Sequence, residues 1–285
     1  MKNLLIATDF SANATHAAEY GYALASQVKA NIVLCNAFLV PAEIPEGGTL
    51  VWPQYEYEEL QKNSADELKE LEKALHHKVK GAASRPYITR ISEDGNMPEV
   101  VNKAAKKENI QLVVMGTHGN TGINGALLGN HSRKMIDNAA CPLLLVPPTA
   151  AIAPVKKIAF ATDFKEPEKD LQAIFNLIPL LKLLNAELLL THIYTEIDEA
   201  YDFKKNIEGF LLELSNKANY PHIYYRIVKS EKTGKGLDWL CRFGNVDMLA
   251  MVHRKHSFLD KILIGSNTQK MAEHIWIPLL VVPEK

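Results

Sequence analysis

Lys2–Phe10 reads KNLLIATDF, and Lys156–Phe164 reads KKIAFATDF. A repeated stretch of this kind decides the architecture before any single motif is weighed. The chain also closes twice in one way, with CPLLLVP at Cys141–Pro147 and IPLLVVP at Ile277–Pro283. Between these anchors, LVVMGTHGNTGINGALLGN (Leu112–Asn130) aligns without a gap to MLAMVHRKHSFLDKILIGS (Met248–Ser266). Start, middle and end all match, so the chain is an internal duplication. At 285 residues it has room for two domains of about 140 residues each. Residues 1–150 and 154–285 are the expected domains, and Ala153–Lys157 (APVKK) is the short linker.

The spacing between copies locates an insertion. It is 154 at the first strand, 156 from Leu34 and Asn36 to Leu190 and His192, and 136 from Ile88/Tyr224 to the end. The first copy therefore carries about 20 extra residues between Phe38 and Ile88. The Pro/Gly-rich Pro41–Gln54 is the expected place for them. Trp52, Tyr55 and Tyr57 lie in this region, where aromatics anchor partners or pack a loop back onto its own domain.

Within the first copy, short apolar runs alternate with helical patterns. Leu4–Thr8, Ile32–Phe38, Ile88–Ile91, Leu112–Met115 and Leu143–Val146 read as strands buried on both faces. Thr15–Val28, Tyr57–Lys80, Pro98–Glu108 and Ser132–Asn138 read as helices, Pro98 standing where a missing N–H does no harm. The expected fold class is α/β: two tandem doubly wound domains, each a mainly parallel five-stranded sheet flanked by helices. Ligands of such sheets sit beyond the carboxyl ends of the strands.

Composition narrows the function classes. Hydrophobic residues make up 47% and charged residues 23%, an ordinary globular mixture. Residues 1–150 hold 14 Lys/Arg against 16 Asp/Glu, leaving 18 against 17 for the rest. Neither half is basic enough for a nucleic-acid or anionic-membrane surface. There is no apolar run of membrane-spanning length and no signal-peptide pattern at the N-terminus. Cys35, Cys141 and Cys241 form neither a disulfide framework nor a zinc pattern, so a cytoplasmic location is expected.

The strand ending at Met115 runs into Gly116-x2-Gly119-x9-Gly129, followed by Asn130, His131 and Ser132. Glycines past a strand let backbone approach a ligand without Cβ clashes. A helix start at Asn130–Ser132 offers free N–H groups and the positive end of a dipole to an anion. Thr8 and Asp9 close the first strand at the same edge of the sheet. Strand, glycine loop and helix start together suggest a phosphate cradle; the alternative is that the glycines only permit tight packing. His118, inside the loop, suits phosphate or solvent equally.

On these residues the chain resembles the universal stress protein family, which carries G-x2-G-x9-G-(S/T) after its fourth strand and an Asp closing its first. Asp9, Gly116, Gly119 and Gly129 match, and the resemblance covers essentially the whole chain, once per half. It implies the family's adenine nucleotide α-hydrolase-like fold. It also implies ATP or a related adenine nucleotide as ligand, with or without Mg. The loop would then hold the phosphates, Asp9 the ribose and adenine, backbone near Ala37 the adenine, and Met115 the base pocket. It further implies that the halves pair as a pseudo-dimer, Leu143–Val146 against Leu279–Val282, with Pro147 and Pro283 stopping strand extension. Two such chains could associate again as a homodimer.

Departures are informative. Asn130 stands where the family has Ser or Thr, although an Asn amide and backbone N–H groups can still donate to phosphate. In the second copy Val252 replaces Gly116 and Lys255 replaces Gly119; Gly265, Ser266 and Asp163 remain. A β-branched residue where φ must be positive is costly, so that copy is expected to have lost the family's ATP site. His253-Arg254-Lys255-His256 reads as a solvated loop or, less simply, a new anion site; two histidines without a third ligand do not make a metal site. Thr233-Gly234-Lys235-Gly236 superficially resembles a P-loop but lacks its spacing, and reads as a helix start. His76 and His77, late in a charged helix, read as surface residues. No catalytic triad or carboxylate pair can be assembled. The leading expectation is a stress-response binding protein, not an enzyme. Its alternatives are a slow ATPase or nucleotidyl transferase, and a nucleotide-independent module that recruits a partner through Pro41–Gln54.

Overall fold

The computed structural model describes residues 1–40, 54–78, 84–117, 129–194, 202–254 and 267–284. The first half runs β1 (Asn3–Ala7), α1 (Ala12–Val28), β2 (Asn31–Phe38), α2 (Gln54–Lys78), β3 (Ile88–Asp94), α3 (Met97–Lys107), β4 (Leu112–Gly116), α4 (Asn130–Asn138) and β5 (Leu143–Val146). The second repeats it: β6 (Lys157–Ala161), α5 (Pro167–Leu184), β7 (Glu187–Tyr194), α6 (Asp202–Ala218), β8 (Ile223–Lys229), α7 (Thr233–Phe243), β9 (Met248–His253), α8 (Asn267–His274) and β10 (Leu279–Pro283).

The five strands of each half pair in parallel, in the orders β3-β2-β1-β4-β5 and β8-β7-β6-β9-β10. The halves meet through β5 and β10, antiparallel, with Leu279 opposite Leu145 and Val281 opposite Leu143. One ten-stranded sheet results. Leu143, Leu144, Leu145, Leu279 and Leu280 have no exposed surface, so the join is itself core. Pro283 is the last residue of β10, and Pro147 follows β5. Two apolar layers run across both halves. One lies under α1, α2, α5 and α6, and the other under α3, α4, α7 and α8. Helices meet across the join on each face, α1 with α5 and α4 with α8.

Polar contacts lock the linker and the join. Gln27 in α1 donates to the Val155 carbonyl and accepts from the Val155 N–H, each at 3.0 Å. Asp247 Oδ2 accepts the N–H groups of Lys156 and Lys157, both at 2.8 Å. Across the join, Gln269 donates to Asp137 at 3.0 Å, and His253 Nε2 lies 3.2 Å from the same carboxylate.

The insertion is spread more widely than its composition suggests. Residues 41–53, which hold Trp52, lie outside the described set, but α2 itself has 25 residues against 17 for α6. Charged helix-forming sequence (SADELKELEK) lengthened an element as well as a loop. Tyr57 rests on Phe38 with ring centroids 5.8 Å apart, while Tyr55 is 79% exposed. Strand register also corrects the alignment of the copies. Ile32 faces Ile88, and its counterpart Leu188 faces Ile223, so β3 and β8 correspond one residue away from the gapless match. The compensating residue lies in the turn ahead of α7.

Candidate functional site

In the first half, the chain lays β2 and β3 to one side of β1, then crosses to β4 on the other. Side chains at the carboxyl ends of β1 and β4 therefore border a crevice at the switch of direction, where such sheets bind ligands. Both halves build the tip of the first strand alike. Thr8 and Thr162 donate their N–H to the Cys35 and Thr191 carbonyls, at 2.9 and 3.0 Å. Their hydroxyls accept the N–H of Phe10 and Phe164, at 3.0 and 2.9 Å. These phenylalanines hold φ of 61° and 57°, a left-handed conformation that costs a non-glycine residue about 1–2 kcal/mol. Asp9 and Asp163 complete the turn, accepting the N–H of Ser11 and Lys165 at 3.1 and 3.2 Å. The repeated Asp thus has a structural task in both copies, which accounts for Asp163 persisting beside a degraded loop.

A buried relay behind this turn escaped sequence reading. Asn36 donates to the Thr8 carbonyl at 2.8 Å, Ser64 from α2 donates to Asn36 at 2.8 Å, and Ser92 from β3 donates to Ser64 at 2.7 Å. His192 takes the place of Asn36 in the second half, its Nδ1 2.8 Å from the Thr162 carbonyl. The one sequence signal of it is a polar residue inside an apolar strand (NIVLCNAF, ELLLTHIY), which by itself names no partner.

At β4, Met115 is 6% exposed and Gly116 is the last strand residue, paired with Val146. Gly119 and His118 lie outside the described residues. Gly129 donates its N–H to the Thr117 carbonyl at 3.0 Å. Gly129 then caps α4 with φ −61°, which any residue adopts. Nor does Val252 break its strand: it lies within β9 opposite Val282, just as Gly116 lies within β4. Neither position requires positive φ, so the expected conformational penalty at Val252 does not arise. What distinguishes Gly116 from Val252 is the absent side chain, not the backbone conformation.

The start of α4 carries no acidic residue in its first turn, leaving the dipole uncompensated there. Asn130 and His131 are exposed, whereas Ser132 is buried, its hydroxyl donating to the Gly116 and Thr117 carbonyls at 3.0 and 3.1 Å. Ser132 braces the loop's base, and its backbone N–H is what it can offer a ligand. Ala37, near the end of β2, is half-buried beside the crevice. Asp9 is exposed, and among the described residues no cation reaches its carboxylate.

The second half fills the matching space from within. Arg254, directly after β9, donates to Asp163 at 3.0 Å and to Asp170 at 2.7 Å, with Glu166 at 3.8 Å. Thr162 donates its hydroxyl to the far oxygen of Asp170, which is 1% exposed. Burial pushes Asp163 up, but the Arg254 hydrogen bond and charge, with the Lys165 N–H, outweigh it and hold its carboxyl below the usual range. For Asp170 burial prevails over Thr162 and Arg254, and its pKa is raised. His253 is 5% exposed at the join. The basic run is therefore neither a solvated loop nor an anion site at its first two residues; Lys255 and His256 lie outside the described set. Arg254 turned inward because three carboxylates surround it, and His253 because the join between the halves covers it.

Among the described residues no cluster of three or more His, Cys, Asp or Glu could hold a metal, and no helix is long and apolar enough to cross a membrane.

Fold and site define a class: a tandem α/β protein of two paired five-stranded units, with matching strand-end carboxylates that an arginine holds in the second half and, among the described residues, no cation reaches in the first. The chain belongs to the universal stress protein family, whose profile matches residues 1–147 and again 154–283. Universal stress protein E of Escherichia coli K12 is 39% identical over 64 residues, 22% of this chain and 20% of that one. The matching stretch thus spans only about a fifth of that relative's length. Among solved structures, a universal stress protein from Archaeoglobus fulgidus superposes with a TM-score of 0.70 at 16% identity, over 99% of this chain and 96% of that one. A functionally unknown protein from Pseudomonas aeruginosa PAO1 gives 0.61 at 11% identity, over 100% and 93%. At these identities the likeness is one of fold.

Proposed function

We propose that the first half binds ATP or a related adenine nucleotide in the crevice between β1 and β4, and that the second half binds none. The observation that carries this reading is the contrast between two matching carboxylates. Both carboxylates are exposed, but Asp163 is held by the Arg254 guanidinium, whereas no cation stands beside Asp9 among the described residues. Thr8, Asp9, Ala37 and Met115 would border the nucleoside. Gly116, Gly119 and Gly129 would leave room for the phosphates, with the first N–H groups of α4, at Asn130, His131 and Ser132, as donors. The protein then acts in a stress response as a nucleotide-holding, regulatory component rather than through catalysis by its second half.

Calorimetric titration with ATP tests this on the full chain. Asp9→Ala and Gly119→Lys should each weaken binding at least about tenfold, the equivalent of about 1.4 kcal/mol. Arg254→Met should leave it unchanged. Equal affinity in wild type and Gly119→Lys would remove the first half as the site.

A further inference from the structure

β8 ends the sheet, so one row of its backbone N–H and C=O groups meets no other strand among the described residues. Beside it, β8 and α7 enclose an open groove of about 570 Å³. Ile227, Val228 and Gly236 form its apolar lining, Trp239 its aromatic wall, and Arg226, Lys229 and Lys235 its cations. Ile227 is 49% exposed and Trp239 47%. Lys235 shares its charge with Glu231 at 3.1 Å, while Arg226 and Lys229 meet no carboxylate among the described residues.

The other half supplies an internal control, because the same fold builds the same corner there at β3 and α3. Strand register sets Val228 against Glu93 and Lys229 against Asp94; the helix starts set Lys235 against Glu99 and Trp239 against Lys103. In the first half Glu93 and Lys103 close the corner with an ion pair of 2.8 Å. The second half replaces that pair with a valine and an exposed tryptophan, and turns two flanking acids into lysines. The fold demands none of this, since the first half stands without it. Cations on an edge strand also discourage edge-to-edge joining of sheets. That role does not call for an exposed indole over an apolar floor.

We infer that the β8–α7 groove is a docking site for an acidic, extended segment of a partner protein, added along the open edge of β8 with an apolar side chain lodged against Trp239. Backbone hydrogen bonds to the edge supply alignment, the indole supplies the anchor, and the three cations select acidic flanks. The charge pattern fixes the choice of occupant: a basic or neutral strand would meet repulsion or no partner at Arg226 and Lys229.

The probe is a capped ten-residue peptide of alternating glutamate and valine with one central phenylalanine, titrated into the full chain by fluorescence anisotropy. Its counterpart with lysine in place of glutamate is the control. The acidic peptide should bind, weakening as salt is raised, and the basic one should not. Trp239→Lys should weaken binding about tenfold, as should the pair Lys229→Asp/Lys235→Glu. Each change installs the residue that the first half already carries at that corner, so the fold accommodates it. Hydrogen exchange should slow at Ile223–Lys229 on binding. Equal binding of both peptides, unchanged affinity in the variants, or protection elsewhere would overturn the proposal. So would sedimentation showing that wild type self-associates through this edge and the variants do not, which would make the occupant a second copy of the chain.

Discussion

Arg254 rests, partly buried, among three carboxylates, and its removal strands one of them. Asp170 is 1% exposed, so Arg254→Met leaves a buried charge with only the Thr162 hydroxyl to meet it. The expected cost is about 3 kcal/mol in urea unfolding, most of it recovered in Arg254→Met/Asp170→Asn. A loss under about 0.5 kcal/mol would show that the cluster behaves as an ordinary surface pair. The cysteines differ at the same scale. Burial pushes Cys35 and Cys241 up to about 12, leaving about one thiolate in ten thousand at pH 8. Cys141 is partly exposed. Iodoacetamide at pH 8 should therefore label Cys141 first, and Cys35 and Cys241 only after denaturation, as read by peptide mass spectrometry.

Among the elements, α2 departs furthest from its sequence reading. His76 is not a free surface imidazole. Tyr22 of α1 meets its Nδ1 at 3.0 Å with the rings edge-on, and Arg85 approaches at 3.2 Å. Nothing local to the helix could reveal this, because both partners come from elsewhere in the chain. Burial and then the Arg85 charge lower its pKa, only partly countered by Glu72. A histidine with a lowered folded pKa is neutral in both states at high pH. Its contribution is therefore complete above the unfolded value of about 6.5 and is lost as pH falls from there toward the folded value. His76→Gln should flatten the pH dependence of the melting temperature between pH 7 and 5. An unchanged slope would place that titration elsewhere. The start of α4 was legible in the sequence, since glycine, polar residues and an apolar face fall at helical spacing. The inward turn of the Ser132 hydroxyl was not, because it depends on two carbonyls at the end of β4.

At the scale of the molecule, the ten-stranded sheet makes the two halves one body. Leu280 lies at the centre of the β5–β10 join with no exposed surface, opposite Leu144. Leu280→Ala should cost about 2–5 kcal/mol and lower a single cooperative transition. A variant that melts in two steps, with the first half unaffected, would show that the halves fold separately. The family resemblance implied the pairing through Leu143–Val146 and Leu279–Val282, while the sequence by itself determined the duplication, the α/β alternation, and the strand and helix positions to within a few residues. These follow from local apolar periodicity and from repeated motifs, which a single chain displays without reference to its partners in space. Only the tertiary structure decided what the matching residues do. It showed that Arg254 closes one crevice, that Asp163 survives as part of a turn, and that β8 faces outward with a tryptophan beside it. Charge and burial depend on what lies across the fold, and residues 91 positions apart in the chain, as Asp163 and Arg254 are, meet only when the sheet is assembled.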